Sequence, residues 1–266
     1  MLGSDLSTLL IDNGYEPVVF DLPDFDITKE SDIKKIVDES DLIVNCAAYT
    51  AVDKAETEKA TAYAVNADAV GMLGEFARSA GKYIVHISTD FVFGDESSQP
   101  LTEDSPTNPL SVYGASKLKG EELLLKTGAP ASIIRVEWTY GRNGNNFIYK
   151  IRDLASKLDS MKVVSDQVGA PTPTTEVSRA VLAFLQKKPE GVFLFAADGY
   201  ASRYETACFI AEQLKLDVKI TPCASSEFQA PAERPKNSRF DCSKIDGVLD
   251  FKRNDWKSAL CAFLNS

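Results

Sequence analysis

Tyr83-Ile-Val-His-Ile-Ser-Thr-Asp90 decides the fold: a strand-forming apolar run, Tyr83 to Ile87, that stops in three small polar side chains. An apolar run of this length reads as a strand buried on both faces, as in a parallel sheet covered by helices. Such sheets place their sites at the carboxyl ends of strands, so chemistry is expected at Ser88, Thr89 and Asp90. Twenty-four residues beyond Thr89 stands Tyr113-Gly-Ala-Ser-Lys117, leading into the helical run Leu118-Lys-Gly-Glu-Glu-Leu-Leu-Leu-Lys126. Tyrosine and lysine four apart on a helix share one face. A phenol titrates near pH ~10, and proton transfer at neutral pH asks for roughly 3 units less, about 4 kcal/mol of bias toward phenolate. A fixed ammonium supplies bias of that sign, which makes Tyr113 a candidate acid and Lys117 its tuner.

Upstream, Leu6, Leu9 and Leu10 recur at helical spacing and Gly14 closes that helix. Glu16-Pro-Val-Val-Phe-Asp21 then reads as a short strand, and an acidic residue at its end is where dinucleotide folds hold adenosine ribose hydroxyls. Asp21 is the candidate, and a carboxylate there predicts that NADH serves at least as well as NADPH. Thr28 or Ser31 is expected to cap a helix through residue 37, before the strand Asp41-Leu-Ile-Val-Asn45. The small side chains of Cys46-Ala-Ala48 let a cofactor approach the backbone. Helices are expected over 53–64 and 66–80, with Gly81 as the stop.

Downstream, residues 95–108 form a polar loop bordering the substrate mouth. Strands are expected at 131–136, 162–165 and 191–195, and helices at 147–158, 174–187, 202–214 and 255–264. The stretch 218–237 reads as irregular, with Arg234 able to grip a diphosphate bidentately. The alternation predicts an α/β fold with a doubly wound parallel sheet. Residues 1–140 form the dinucleotide-binding domain, its sheet also taking strands from 160–200, and 141–266 form a small substrate-binding lobe.

With 266 residues and 44% hydrophobic content the chain can bury a full core. A net charge of −10 without a basic run argues against nucleic acid and anionic membranes as partners. Five scattered cysteines form no complete disulfide framework, and a single His86 rules out a histidine metal cluster. No apolar stretch reaches the ~18 residues of a membrane span, and a cytoplasmic location is expected.

Five blocks resemble, in order, the signatures of the dTDP-4-dehydrorhamnose reductase family, within the extended short-chain dehydrogenase/reductases. They are Asn45-Cys-Ala-Ala-Tyr-Thr-Ala-Val-Asp-Lys-Ala-Glu56, Ser88-Thr-Asp-Phe-Val-Phe-Gly94, Asn108-Pro-Leu-Ser-Val-Tyr-Gly-Ala-Ser-Lys117, Asp166-Gln-Val-Gly-Ala-Pro-Thr172 and Arg234-Pro-Lys-Asn-Ser238. The resemblance implies a Rossmann-like fold and reduction of the 4-keto group of a nucleotide-linked 6-deoxyhexulose by NADPH or NADH. It implies catalytic roles for Thr89, Tyr113 and Lys117. Gly3, Asp26, Ile27, Ala47, Ala48, Tyr49, Thr50 and Ile87 would lie with Asp21 along the cofactor, and Val52, Asp90, Trp138 and Arg234 at the sugar nucleotide. It leaves room for a homodimer. The chain departs from the family at Val136-Glu137, where Thr-Ser is usual, and a carboxylate there would repel a diphosphate. Two readings therefore stay open: a reductase or epimerase of another nucleotide sugar, and a regulatory subunit resembling the β-subunit of methionine adenosyltransferase.

A dinucleotide fold opens with an apolar strand and a glycine-rich turn. Met1-Leu-Gly3-Ser-Asp-Leu6 resembles only the tail of that motif. A first strand encoded upstream of Met1 is the expectation, and without it a gap is expected between the strands at 18–20 and 83–87.

Overall fold

The computed structural model describes residues 1–94 and 97–265; Asp95 and Glu96, at the start of the expected loop, lie outside the described residues. The elements that build the main layers are helix α1 (Leu2–Asp12), helix α2 (Glu30–Glu39), strand β1 (Leu42–Asn45), helix α3 (Ala69–Ala80), strand β2 (Tyr83–Thr89), helix α4 (Val112–Thr127), strand β3 (Ala131–Val136), helix α5 (Thr174–Lys187) and strand β4 (Gly191–Phe195). The strands are parallel in the order β1-β2-β3-β4, with Val85 opposite Val44 and Ser132. Successive strand residues face opposite sides, and the core divides accordingly. Ile84 and Ile133 pack with Ile33 and Val37 of α2, Leu73 of α3 and Leu124 of α4. Val85 and Ile134 pack with Leu6 and Leu10 of α1 and Val181 and Phe184 of α5. Helices on both faces of a parallel sheet make this a Rossmann-like, doubly wound α/β fold.

Helix ends follow local chemistry. Ser111 accepts a hydrogen bond from the Gly114 N–H to cap α4, and Gly128 closes it in the left-handed region. Gly81 closes α3 in the same way. Neither Thr28 nor Ser31 caps α2; Lys29 is its N-cap residue, while Thr28 donates its hydroxyl to Asp26 Oδ1 at 2.7 Å.

Two strand expectations are corrected. Residues 16–21 form no strand, and Val18 and Val19 are exposed. A strand is held by ladder hydrogen bonds to a neighbour, and β1, the edge of the sheet, does not pair with this stretch. Between residues 14–20, β1 and α1 lies a groove of about 620 Å³, lined by Leu6, Leu10, Ile36, Leu42, Val44 and Leu73 among others. The opening thus borders β1, not β2 as expected: β1 lies directly beside β2. In the supposedly irregular segment, Lys219–Cys223 forms a strand paired with Ser160–Val164, which is not part of the main sheet.

The approach of α4 to the sheet positions everything that follows. A Cβ at Gly114 would lie 2.1 Å from the Phe91 carbonyl oxygen, and one at Gly120 would lie 2.0 Å from that of Asn66. On the buried side, Arg135 of β3 donates Nη2 to Glu121 Oε2 at 2.7 Å and Nε to Oε1 at 3.1 Å. Ser88 of β2 donates to the same carboxylate. Removing one partner of a buried ion pair leaves the other uncompensated, at about 3–5 kcal/mol. Glu121→Ala should therefore lower unfolding free energy by about 3–5 kcal/mol in denaturant titration; a loss below about 1 kcal/mol would show that this pair does not fasten α4.

Candidate active site

At the carboxyl end of β2, Thr89 is buried and its hydroxyl donates to Asp90 Oδ1 at 3.0 Å while accepting the Phe91 N–H. Asp90 is 3% exposed and accepts a second hydrogen bond, 2.6 Å long, from the Ser238 hydroxyl. Ser238 is itself fixed by its N–H to the Val168 carbonyl, so this contact ties the end of β2 to the last part of the chain. Burial raises the Asp90 carboxyl above its ordinary range, against the pull of Ser238 and Thr89.

Tyr113, in the first turn of α4, packs edge-on against Phe91, two residues after Thr89, ring centroids 5.3 Å apart. Burial pushes its phenol up to about 12; Thr89 pulls it down and Asp90 raises it further. At neutral pH it therefore carries its proton.

Lys117 lies one turn further along α4 and is 2% exposed. It is not turned to the phenol as the helix spacing suggested. Its ammonium donates to the Ile87 carbonyl at 2.7 Å and stands 3.3 Å from His86 Nε2. Burial lowers the amine to about 8, partly offset by Glu121. The ring partner is defined by its other side. Asn45 and His86 are register partners across β1 and β2, and Asn45 Oδ1 accepts the Ala47 N–H at 3.0 Å. The Asn45 amide nitrogen therefore faces His86 Nδ1, at 3.2 Å, and donates to it. A neutral imidazole with Nδ1 as acceptor carries its proton on Nε2, pointing at Lys117, a tautomer assigned from the network. That N–H and the Lys117 ammonium are two donors facing each other, an arrangement that disfavours the ammonium in the same sense as its burial.

Near β1, Ala47 and Thr50 are exposed and Ala48 is half-buried. The Tyr49 N–H donates to Asn66 Oδ1 at 2.8 Å and its hydroxyl donates to Glu58. Val52 is half-buried at the start of the short helix Val52–Ala55, and Gly3 lies in the first turn of α1. Asp21 is exposed and accepts the following Leu22 N–H, so it ends no strand and the ground for preferring NADH is not formed. Asp26 closes a turn onto Thr28, and Ile27 is buried in the core beside α2. Trp138 has φ +45 and lies beneath the Arg203 guanidinium, 3.5 Å from its ring centroid. Arg234 is engaged within the chain: Nη2 donates to Asp53 Oδ2 at 2.8 Å and Nη1 to the Ala232 carbonyl at 2.8 Å. Sequence reading missed His86, Asn45 and Arg203 as site neighbours. Only the strand-end positions of the first two, in adjacent strands, offered a signal.

A model of the RmlD substrate binding domain matches residues 1–266. The chain belongs to the RmlD substrate binding domain family. It is 35% identical over 97% of its length to the dTDP-4-dehydrorhamnose reductase of Aggregatibacter actinomycetemcomitans, covering 93% of that protein. Among solved structures it is similar to a dTDP-4-dehydrorhamnose reductase from Clostridium acetobutylicum, with TM-score 0.95, 37% identity, and 99% of this chain and 95% of that one covered. It is also similar to the enzyme of Bacillus anthracis in complex with NADP, with TM-score 0.94, 31% identity, and 99% and 95% covered. Among the described residues, no helix is long and apolar enough to cross a membrane.

As this RmlD-family chain holds a single histidine, its imidazole gives one set of NMR signals. Burial and Lys117 lower the His86 pKa well below 6.5, so the folded ring stays neutral where the unfolded chain takes up a proton. Stability contributed by this group is complete above pH ~6.5 and declines as pH falls. The ¹⁵N spectrum should show protonated Nε2 and no titration between pH 8 and 5; a midpoint near 6.5 would contradict the buried network.

Proposed function

We propose that this protein reduces the 4-keto group of a nucleotide-linked 6-deoxyhexulose, converting dTDP-4-dehydrorhamnose to dTDP-rhamnose with NADPH or NADH. The observation that carries the reading is the placement of Tyr113, edge-on to Phe91 in the first turn of α4, at the carboxyl end of β2 where Thr89 lies, with the buried Lys117 one turn further on. The residues present suit a nicotinamide nucleotide. Cys46, Ala47 and Ala48 leave the backbone open after β1. Lys117 is a buried amine that, among the described residues, has no carboxylate within ion-pair distance and so has donor capacity for ribose hydroxyls. Bound there, the nicotinamide supplies the hydride to the ketone carbon.

The chain's own work is on the oxygen. The Thr89 hydroxyl turns its single proton from Asp90 Oδ1 to the carbonyl oxygen and fixes it against the Tyr113 hydroxyl, which gives up its proton as charge develops. A sugar alkoxide is a stronger base than a phenolate, so the transfer runs downhill even from a phenol near 12. Donors already in place when that charge appears are the main electrostatic lever of such a site. Before substrate arrives, Asp90, held by Ser238, keeps the Thr89 hydroxyl oriented. In this reading residues 1–140 hold the dinucleotide, and residues 141–266 with Val52 hold the sugar nucleotide. Trp138 lies against the hexose, and Arg234 reaches the diphosphate by exchanging its Asp53 contact. The reaction is cytoplasmic, and a homodimeric assembly is compatible with it.

The test is oxidation of NADPH by dTDP-4-dehydrorhamnose, followed by cofactor absorbance, in the parent and in Tyr113→Phe. The parent should turn over and the variant lose ~10²–10⁴-fold in kcat with nucleotide affinity nearly unchanged. A variant that keeps most of its activity would remove Tyr113 from the mechanism.

A further inference from the structure

Glu137 follows β3 directly and is 1% exposed. Among the described residues neither of its carboxylate oxygens makes a hydrogen bond. The contrast is Glu121, equally buried, whose carboxylate is filled by Arg135 and Ser88. A buried polar group left without a partner is unfavourable, and one at the edge of a site calls for an explanation.

The surroundings are built around this carboxyl. A Cβ on Gly169 would lie 2.1 Å from Glu137 Oε2, with Ser238 Cβ and Trp138 Cε2 each 3.0 Å away, so only glycine leaves the carboxyl its space. Trp138 stands in the left-handed region at φ +45, a strained backbone for a bulky residue that aims the ring beneath Arg203. The charged groups around Glu137 are Asp90 at the end of β2, Arg203 at the start of the helix Arg203–Gln213, and Arg239; the Ala170 amide faces it as well. Neither arginine forms an ion pair with it. Burial, reinforced by Asp90, holds the carboxyl well above its ordinary range. The shift favours the neutral form, which is both a donor and an acceptor and does not repel a nearby phosphate.

We propose that Glu137 determines substrate specificity by hydrogen-bonding a ring hydroxyl of the hexose seated against Trp138. This rests on the nucleotide-sugar reading above and adds the residue that selects the sugar. Trp138 offers an apolar ring, Glu137 an unfilled polar group beside it, and Asp90 with Ser238 a bonded edge toward Thr89. A site whose buried polar group is satisfied only by a substrate hydroxyl discriminates strongly against a ligand without that hydroxyl.

The test is calorimetric affinity for dTDP-rhamnose and for dTDP in the parent, Glu137→Gln and Glu137→Leu, each with its thermal midpoint. Glu137→Leu should bind dTDP-rhamnose at least about tenfold more weakly and leave dTDP affinity within about twofold. Glu137→Gln, which keeps a donor and an acceptor, should stay near the parent. The leucine variant should melt no lower than the parent, since an unpaired buried carboxyl has been removed. Unchanged affinity for dTDP-rhamnose would overturn the proposal, as would equal weakening of both ligands or a lowered midpoint, which mark a structural role. A parent that binds both ligands without reducing dTDP-4-dehydrorhamnose would sink the reductase reading and leave the hexose contact standing; a parent that binds neither would overturn both.

Discussion

The close seating of helix α4 on strand β2 is the constraint on which the rest of the site depends. It is held at two depths. Near the surface of the sheet, Lys117 donates to the Ile87 carbonyl, and Gly114 and Gly120 let the helix touch neighbouring backbone. Deeper, the Glu121 carboxylate joins α4 to Ser88 of β2 and Arg135 of β3. Isolated buried ion pairs are weak stabilisers because desolvation opposes attraction. Here the benefit is placement: with α4 fixed about two turns below, Tyr113 is held at the end of β2 without a loop having to find it.

The same seating sets the charge balance. A lysine buried beside a carbonyl and an imidazole loses much of its preference for the ammonium form, and Lys117 falls to about 8. Tyr113 moves the other way, to about 12. Burial is the first cause of both shifts, and each is toward the neutral form, although an amine near 8 still holds its proton at pH 7. Lys117 faces the Ile87 carbonyl and His86, which fits a role in holding hydroxyls.

Much of this was legible in the sequence because the relevant signals are local. The run from Tyr83 ends in Ser88 and Thr89 as read, the helical run beyond Tyr113 lies within α4, and β3 and β4 fall on their apolar runs. What failed depends on partners. Residues 16–21 have strand composition but no neighbouring ladder, and the groove along β1 stays open beside them. Lys219–Cys223 is a strand because Ser160–Val164 lies beside it, a pairing across some sixty residues that no local pattern reports. The helix spacing of Tyr113 and Lys117 placed them on one face correctly. It had no means of showing that His86 and a carbonyl compete for the ammonium, or that Asp53 already holds Arg234.

The central claim is a proton from Tyr113 and a hydride from the nicotinamide meeting at one carbonyl. NADPH deuterated at the transferable C4 position, incubated with the protein and dTDP-4-dehydrorhamnose, gives the most direct measurement. The account predicts dTDP-rhamnose with deuterium at C4 of the hexose by NMR; recovery of unchanged keto sugar, or deuterium at any other carbon, would contradict it.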